Sequence, residues 1–387
     1  MSPHRAALAL CASFVFMIPL AATLAADVPL AAALAKLRAV GPLAAGHADA
    51  VAAAKTAARA PAEQLPAILA AMDGVNPIAE NWLRGVAEAV AQQATAKGGK
   101  LPQPALETFL LETKHSPRAR RLSYELIAAV DPTAEGRIIP KLLSDPSVEL
   151  RRDAVAQVLT DAAKLGADDK EAAVKKYEVA FFHSRDLDQI KESSAKLREA
   201  GQQVDLATHM GYLMKWKLIG PFDNIDDKGW DVAYPPEAKV DLAAEYDGQK
   251  GKVMWIETTT ADDYGTVDLN KIQGNHKGAI TYAYAELIAD KAQPCELRLG
   301  CINANKVWLN GKLLTANHVY HAGSEIDQYI AKGELNKGKN AILLKICQNE
   351  QTEAWAQNWQ FQLRVCDAVG TAILSQDRAT QKVASAR

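Results

Sequence analysis

The sequence predicts a multidomain α and β protein, in which an N-terminal α-helical region precedes a C-terminal antiparallel β-sandwich. Three observations support this fold class. Apolar residues recur at helical spacing in an alanine-rich stretch from Val28 to about Met210. After Leu213 the chain is rich in aromatic residues, and short alternating segments are separated by turn residues. Within this second region Asn310-Gly311 joins two apolar segments, and Asn-Gly is the dipeptide that best tolerates a two-residue hairpin turn.

Length and composition are those of a globular protein with two ordinary domains. The chain has 387 residues, of which 49% are hydrophobic and 23% are charged. Each half is therefore long enough to bury a core, and the composition is not that of a disordered chain. The formal net charge is −2, and no basic cluster with interleaved aromatic residues occurs. We expect no nucleic-acid partner, because duplex binding requires a basic face that neutralises phosphates.

Residues 1–26 are expected to form a signal peptide. Two basic residues, His4 and Arg5, precede a long apolar run, and small residues follow this run before Asp27. This is the pattern of an exported protein with a cleavable leader, so we expect a periplasmic or extracellular location. An uncleaved anchor is the alternative, because the run approaches the ~20 residues that span a bilayer. After cleavage, no remaining segment is expected to span a membrane.

Helix starts in the first region are marked by a polar residue followed by proline. Asn76-Pro77, Ser116-Pro117 and Asp145-Pro146 each place a good N-cap residue before the first helical position. The stretch 138–159 resembles a HEAT repeat, in which Asp-Pro opens the second helix of a pair. The resemblance implies that residues 27–210 form a HEAT-like solenoid of stacked helix pairs. Two roles remain open for this region, namely a surface that binds an envelope protein and a solvated spacer.

Short strand-like segments separated by turns indicate a β-sandwich in the second region. In the long segment near its end, Ile342, Leu344 and Ile346 alternate with Lys345. Alternation places the three apolar side chains on one face, so we expect Lys345 to reach water on the other. The predicted strands lie in residues 214–219, 253–257, 265–269, 278–288, 295–301, 306–314 and 359–366, and in 335–346, where a Gly-containing turn leads into a long strand.

Two neighbouring motifs resemble a known family. Lys306–Lys312, which reads KVWLNGK, is followed by Gly338–Lys345, which reads GKNAILLK. Together they resemble the galactose-binding-like jelly roll, such as the sugar-binding domain of family 2 glycoside hydrolases. The resemblance implies that residues 212–376 form a jelly-roll domain of a secreted bacterial protein, with carbohydrate as the expected partner. Residues 377–387 would then be a flexible tail.

Four cysteines follow the predicted signal peptide. Cys295 and Cys301 lie on one predicted strand, roughly 20 Å apart if the strand is straight, which is too far for a disulfide. A bond between Cys347 and Cys366 is also poorly placed, because in a simple hairpin Cys347 pairs near Trp359. A Cys301–Cys347 disulfide and four free buried thiols remain the alternatives.

Aromatic residues divide into a strand set and a loop set. Trp216, Trp255, Trp308 and Trp359 lie in strand-like contexts, so we expect them in the core. The loop set stands beside polar residues, a combination that suits a sugar, because its C–H face stacks on a ring and its hydroxyl groups need polar partners. The candidate carbohydrate-binding residues are Trp230, Tyr320, Trp355, His318 and His321.

Four aspartates in one predicted loop form a candidate cation site. Asp223, Asp226, Asp227 and Asp231 offer the hard oxygen ligands that calcium accepts, although they match no EF-hand spacing. A structural calcium and a solvated acidic loop are the two alternatives. His318 and His321 lack the helical, glutamate-containing context of a zinc protease. No cofactor is required by any motif.

No catalytic motif occurs in the chain. Glycosidases need two carboxylates across a cleft, and nothing in the sequence pairs the candidates Glu237, Glu245, Asp262 and Asp263. We therefore expect an exported, non-catalytic protein that recognises carbohydrate through its β-sandwich, with the helical region as scaffold or protein-interaction surface. One alternative is a structural or protein-interaction module of the cell envelope without sugar binding. Another is an enzyme similar to glycoside hydrolases, or the accessory subunit of such an enzyme.

Overall fold

The computed structural model describes residues 28–166 and 168–378. The predicted signal peptide, residues 1–26, lies outside these described residues. The chain divides into two compact units, one ending at Pro132 and the other beginning at Thr133. The second unit contains the later helices as well as the described strands, whereas the predicted change from helix to strand falls near residue 211.

The first unit is helical, as the alanine-rich periodic sequence predicts. The Asn76 side chain accepts hydrogen bonds from the backbone N–H groups of Ile78 (3.0 Å) and Ala79 (3.1 Å), which confirms the predicted N-cap. Pro117 likewise begins a helix directly after Ser116. The α-helices of this unit are α1 (Val28–Arg38), α2 (His47–Ala57), α3 (Leu65–Ala70), α4 (Pro77–Ala96), α5 (Gln103–Leu111) and α6 (Pro117–Ala128).

Helices also open the second unit, and one of them starts later than predicted. Asp145 does not cap a helix; its carboxylate accepts from the backbone N–H of Ser147 at 2.8 Å, and Ser147 is the N-cap. The prediction of an Asp145 cap was therefore wrong by two residues, whereas the predicted helical class is confirmed. The HEAT-like stacking stays a prediction. The helices before the strands are α7 (Ala134–Ile138), α8 (Val148–Leu165), α9 (Lys170–His183), α10 (Leu187–Glu199) and α11 (Leu206–Met210). Two short helices, α12 (Pro235–Ala238) and α13 (Leu269–Gln273), lie among the strands of the same unit.

The strands of the second unit form antiparallel sheets, which confirms the predicted C-terminal class. A six-stranded sheet has the order β4-β1-β6-β11-β8-β9, and a four-stranded sheet has the order β10-β7-β12-β5. A separate hairpin pairs β2 with β3. The strands are β1 (Lys215–Asp223), β2 (Glu245–Gly248), β3 (Gly251–Met254), β4 (Ile256–Thr259), β5 (Val267–Asp268), β6 (Ala279–Ala289), β7 (Gln293–Cys301), β8 (Ala304–Leu309), β9 (Lys312–Asn317), β10 (Tyr329–Leu335), β11 (Gly338–Gln348) and β12 (Gln360–Cys366).

The two larger sheets share an apolar core, to which β1, β6, β8 and β11 contribute from one sheet and β7, β10 and β12 from the other. Trp216 and Trp359 lie in this core and are almost fully buried, as predicted. Trp308 is also buried, but it belongs to a second apolar cluster with Phe222 and Tyr282. The six-stranded sheet is therefore covered on both faces, and only one of these faces packs against the other sheet.

Coverage of the second face explains why one expectation failed. Lys345 was expected to reach water, yet its side chain is 0% exposed. Its ammonium group donates to the carbonyl oxygens of Trp230 (3.1 Å) and Val232 (2.8 Å) and pairs with Glu237 (2.9 Å). Alternation correctly separates Lys345 from its apolar neighbours. It does not reveal that a loop after β1 covers the opposite face.

The path of the chain between the sheets also differs from a simple hairpin. β11 pairs with β6 and β8, whereas β12 pairs with β5 and β7 in the other sheet. Cys347 therefore has no hairpin partner near Trp359, contrary to expectation. The four described cysteines are free and buried. The structure therefore agrees with the alternative of four free thiols and contains no Cys301–Cys347 disulfide.

Two further features complete the fold. Among residues 28–166 and 168–378, no helix combines the length and the apolar character needed to cross a bilayer. Arg378 donates to the carbonyl oxygen of Tyr212 at 2.8 Å, so the first residues of the expected tail contact the sandwich. The remainder of that tail, residues 379–387, lies outside the described residues.

Candidate functional site

Three loops meet at one end of the sandwich. The first comprises residues 224–234 and follows β1; the second comprises residues 318–328 and follows β9; the third comprises residues 349–359 and follows β11. We call this region the loop end. All five candidate carbohydrate-binding residues lie on these three loops. The loops meet because β1, β11 and β9 are alternate strands of an antiparallel sheet, so they run in the same direction and end at the same edge.

The five candidate side chains form one continuous row of ring contacts. Trp230 stacks on His318, with ring centroids 4.3 Å apart and planes 3° apart. His318 lies 6.0 Å from Tyr320, which lies 6.2 Å from His321. His321 meets Trp355 edge to face at 5.0 Å and 90°. Residues separated by more than 120 positions in the sequence thus form one aromatic row.

The two ends of this row differ in exposure. Trp230 is 8% exposed, whereas Trp355 is 58% exposed. His318 covers part of the Trp230 indole, and the Lys306 ammonium lies 4.4 Å from the ring centroid. A sugar cannot stack on a ring that is already covered, so the expectation that Trp230 is a stacking surface was wrong. Trp355 is the more exposed of the two indoles in the row.

Asp227 links the loops through its carboxylate. One oxygen accepts from the Tyr320 hydroxyl at 2.6 Å, and the other lies 2.5 Å from Nε2 of His318. Asp227 adopts the left-handed backbone conformation, with φ 58°, and Asp tolerates this region better than most residues. Burial raises the pKa of Tyr320 well above its usual value, and the hydrogen bond to Asp227 raises it further. Tyr320 therefore remains a neutral donor at physiological pH.

Asn224 also contacts the Tyr320 hydroxyl group. Its side chain is fully buried, and Nδ2 donates to Tyr320 Oη at 3.0 Å and to the Gln348 carbonyl oxygen at 3.2 Å. The Tyr320 hydroxyl thus accepts from Asn224 and donates to Asp227. This chain of hydrogen bonds fixes the second loop against the first.

Two lysines fix the first loop to the sheet. Lys306 on β8 and Lys345 on β11 both donate to the carbonyl oxygen of Trp230, at 2.8 and 3.1 Å. Hydrogen bonds from a charged donor are stronger than neutral ones. The position of Trp230, and with it the first loop, therefore depends on two lysines of the underlying strands.

The third loop, which carries Trp355, also contributes polar groups to the loop end. Asn349 Oδ1 lies 3.2 Å from Nε2 of His321, and the Glu350 carboxylate accepts from the backbone N–H of Asp226. Glu350 is exposed, so its carboxylate remains accessible to a ligand. The loop end therefore combines an exposed indole with carboxylate and amide groups.

The four aspartates proposed for calcium do not gather around one point. Asp223 accepts from the backbone N–H of Ile225 at 3.2 Å, Asp226 pairs with Lys228 at 2.8 Å, and Asp227 serves His318 and Tyr320. Within the described part of the chain, no group of three or more His, Cys, Asp or Glu residues is placed to hold a metal ion. Calcium binding here remains a prediction from the sequence that this geometry does not support.

The candidate catalytic carboxylates are engaged separately. Glu237 pairs with Lys345 and accepts from the Tyr282 hydroxyl. Asp263 instead pairs with Arg198 of α10 at 2.7 Å, and Asp262 accepts from two backbone N–H groups of its own loop. The structure does not bring these groups to a common cleft at the loop end.

Sequence reasoning missed the residues that support the row. Asn224, Lys306 and Lys345 are polar residues in or next to strands, where the default interpretation is a solvent-exposed side chain. The third loop gave a better signal, because Glu350 stands in the same polar stretch as Trp355. Lys306 and Lys345 belong to the two motifs that resemble the jelly-roll family, but their supporting role is recognisable only from their contacts.

Comparisons with known proteins assign no family. No family model matches the chain, and no curated protein matches its sequence. Among solved structures, similarity extends to the β-glucosidase from Kluyveromyces marxianus in complex with glucose, with 13% identity and a TM-score of 0.25, over 39% of this chain and 16% of that chain. The PA14 domain of the antifreeze protein MpAFP has 13% identity and a TM-score of 0.23, over 43% of this chain and 87% of that chain.

A third similar structure is an anti-sigma factor domain-containing protein from Clostridium clariflavum. It has 12% identity and a TM-score of 0.26, over 46% of this chain and 50% of that chain. This chain therefore spans only a small part of the β-glucosidase and half of the anti-sigma factor protein. TM-scores this low carry no argument about function.

Proposed function

We propose that this protein is exported and binds carbohydrate at the loop end without chemically transforming it. The observation that carries the proposal is the exposed indole of Trp355, which is 58% accessible and lies against His321. An exposed indole is costly to hydrate, and a sugar ring that stacks on it removes apolar surface from water on both partners.

Polar groups around the indole supply the second requirement of a sugar site. Glu350 and Asn349 lie on the same loop as Trp355, and their oxygen atoms can accept hydrogen bonds from hydroxyl groups. Asp227, Tyr320 and His318 hold one another in a fixed arrangement. Such preorganisation lowers the entropy that binding costs. The site therefore offers one stacking surface with fixed polar neighbours.

The helices that open the second unit act in this proposal as scaffold or as a surface for an envelope protein. Arg198 of α10 pairs with Asp263 of the sandwich at 2.7 Å, and Arg185 donates to the Thr371 hydroxyl at 3.3 Å. These contacts lie within one compact unit. They leave the loop end, which is formed by other loops, free to bind a glycan.

Non-catalytic binding is favoured by the engagement of the candidate catalytic carboxylate Glu237. A retaining or inverting glycosidase separates its two carboxyl groups by roughly 5–10 Å, with one pKa raised. Glu237 lies under the first loop and is committed to Lys345 and Tyr282. Measurement of hydrolysis on each polysaccharide that binds would test this part of the proposal.

The binding test uses the full chain and a panel of insoluble and soluble polysaccharides. We expect at least one to bind, and Trp355→Ala to weaken that binding at least tenfold, about 1.4 kcal/mol. Phe182→Ala is the matched control, since Phe182 is an aromatic residue of similar exposure, 55%, on α9. Equal affinity of both variants would refute the assignment of Trp355.

A second candidate function is a protein-interaction module of the cell envelope. It is favoured by apolar side chains around the loop end, because Ile225, Val232 and Val319 are each more than two-fifths exposed. Protein interfaces bury such side chains at their centre. A folded wild-type chain that binds no polysaccharide of the panel would favour this candidate over the first.

A further inference from the structure

A cavity of about 540 Å³ opens at the opposite end of the sandwich from the loop end. Its walls come from the start of β7, the hairpin between β8 and β9, and the end of β10. The volume lies within the roughly 300–1,000 Å³ of typical ligand sites. The Asn310-Gly311 hairpin, which the sequence singled out, borders this cavity and not the aromatic row.

The floor of the cavity lies at a core-facing position of β10 that has no side chain. Ala331 and Leu335 of this strand face the apolar core, and Gly333 lies between them on the same face. A Cβ atom at Gly333 would lie 2.8 Å from Leu309 Cδ2, 3.1 Å from Leu314 Cδ1 and 3.7 Å from Cys295 Sγ. The absence of a side chain at Gly333 therefore lets Leu309 and Leu314 pack against the β10 backbone, where they form the apolar floor of the cavity.

The inner wall of this space is uncharged. Leu309, Leu314 and Pro294 line it together with the Cys295 thiol. Burial raises the pKa of Cys295 to about 11, and the nearby carboxylate of Glu334 acts in the same direction. The thiol is thus neutral at physiological pH and behaves as a small apolar group.

Three exposed charged residues define the mouth of the cavity. Lys312, Lys332 and Glu334 line it and are exposed. Glu296 also lines it, but Arg298 neutralises this carboxylate at 2.7 Å. The three remaining mouth charges sum to one positive charge. A ligand with an apolar body and one negative group at its end would match both the wall and the mouth.

We propose that this edge cavity binds a single apolar chain that ends in a carboxylate, such as a medium-chain fatty acid. The chain lies against Leu309, Leu314 and the Gly333 backbone, and the carboxylate lies at the mouth near Lys312 and Lys332. This site is separate from the aromatic row and does not depend on carbohydrate binding.

Isothermal titration of the full chain with dodecanoate, below its aggregation concentration, tests the proposal. We expect one dodecanoate per chain and at least tenfold weaker binding of octanoate, because fewer methylenes are buried. Gly333→Ala adds a methyl group that overlaps Leu309 Cδ2 and displaces the leucine side chains of the cavity floor, so it should weaken dodecanoate binding at least fivefold. Gly136→Ala is the control, since nothing lies within 4 Å of the added Cβ there.

A second variant keeps the test decisive if Gly333→Ala fails to fold. The double substitution Lys312→Gln with Lys332→Gln changes only exposed side chains, and it should weaken dodecanoate binding at least fivefold while the melting temperature stays unchanged. Failure of the wild type to bind dodecanoate would overturn the proposal. Tighter binding of dodecylammonium than of dodecanoate would overturn the assignment of the negative group.

Discussion

Replacing Lys345 by methionine removes the charge that fixes the first loop to the sheet. The Lys345 ammonium is fully buried and makes three close contacts, to the carbonyl oxygens of Trp230 and Val232 and to the Glu237 carboxylate. Methionine has a similar length and volume, so the substitution leaves little cavity. The variant therefore isolates the loss of the charge and its hydrogen bonds.

The expected cost follows from the group left behind. Glu237 is only 14% exposed and would lose its cation, and removing one partner of a buried ion pair costs about 3–5 kcal/mol. The Trp230 carbonyl oxygen keeps its bond to Lys306, so we expect a value near the lower end. For a unit of this size, about 3 kcal/mol corresponds to a decrease in melting temperature of roughly 6–12 °C.

Differential scanning calorimetry of the full chain measures this decrease. Lys339→Met is the matched control on the same strand, because Lys339 pairs with Glu286 at 2.6 Å but is 63% exposed. Exposed pairs contribute about 0–1 kcal/mol. The double variant Lys345→Met with Glu237→Gln should recover part of the loss. A Lys345→Met variant that melts within 1–2 °C of Lys339→Met would refute the role assigned to Lys345.

Two other perturbations test different parts of the second unit. Burial and the charge of Arg185 lower the pKa of His209 to about 4. Between pH 6.5 and 4 the histidine is protonated in the unfolded chain but neutral in the folded chain. The free energy of unfolding should therefore decrease as the pH falls through this range. His209→Gln should reduce this slope in urea titrations, and an unchanged slope would contradict the assignment. Gly229→Ala should destabilise the unit by about 1–3 kcal/mol, because the added Cβ would overlap the Asp223 carbonyl oxygen and lie 2.5 Å from Ile280 Cδ1. A melting temperature as high as that of a Gly136→Ala variant would contradict this prediction, because it would show that the first loop accommodates the added Cβ without loss of stability.

Local rules predicted the strands and turns well. Asn310 and Gly311 have φ values of 51° and 79°, which is the positive pair that a type I′ turn requires. The segment 329–335, which forms β10, was not predicted, because Lys332, Gly333 and Glu334 weaken its apolar alternation. This strand completes the edge of the four-stranded sheet, and its pairing with β7 provides the stability that its composition does not.

Tertiary packing decided what the sequence could not. Period-two alternation places Lys345 opposite Leu344, but it cannot tell a solvated face from one covered by a distant loop. The structure joins the five loop candidates in one row of ring contacts, and their role in carbohydrate binding stays a prediction. Their exposure could not be predicted, because burial of Trp230 depends on Lys306 of β8, which is 76 positions away in the chain.

The central claim, that the loop end binds carbohydrate through Trp355, is tested most directly by oxidative footprinting of the full chain. Hydroxyl radicals modify exposed aromatic side chains, and Trp355 and Phe182 start from similar exposure. In the presence of a polysaccharide that binds, we expect oxidation of Trp355 to slow at least fivefold while Phe182 is unaffected. Unchanged oxidation of Trp355 under saturating polysaccharide would contradict the claim.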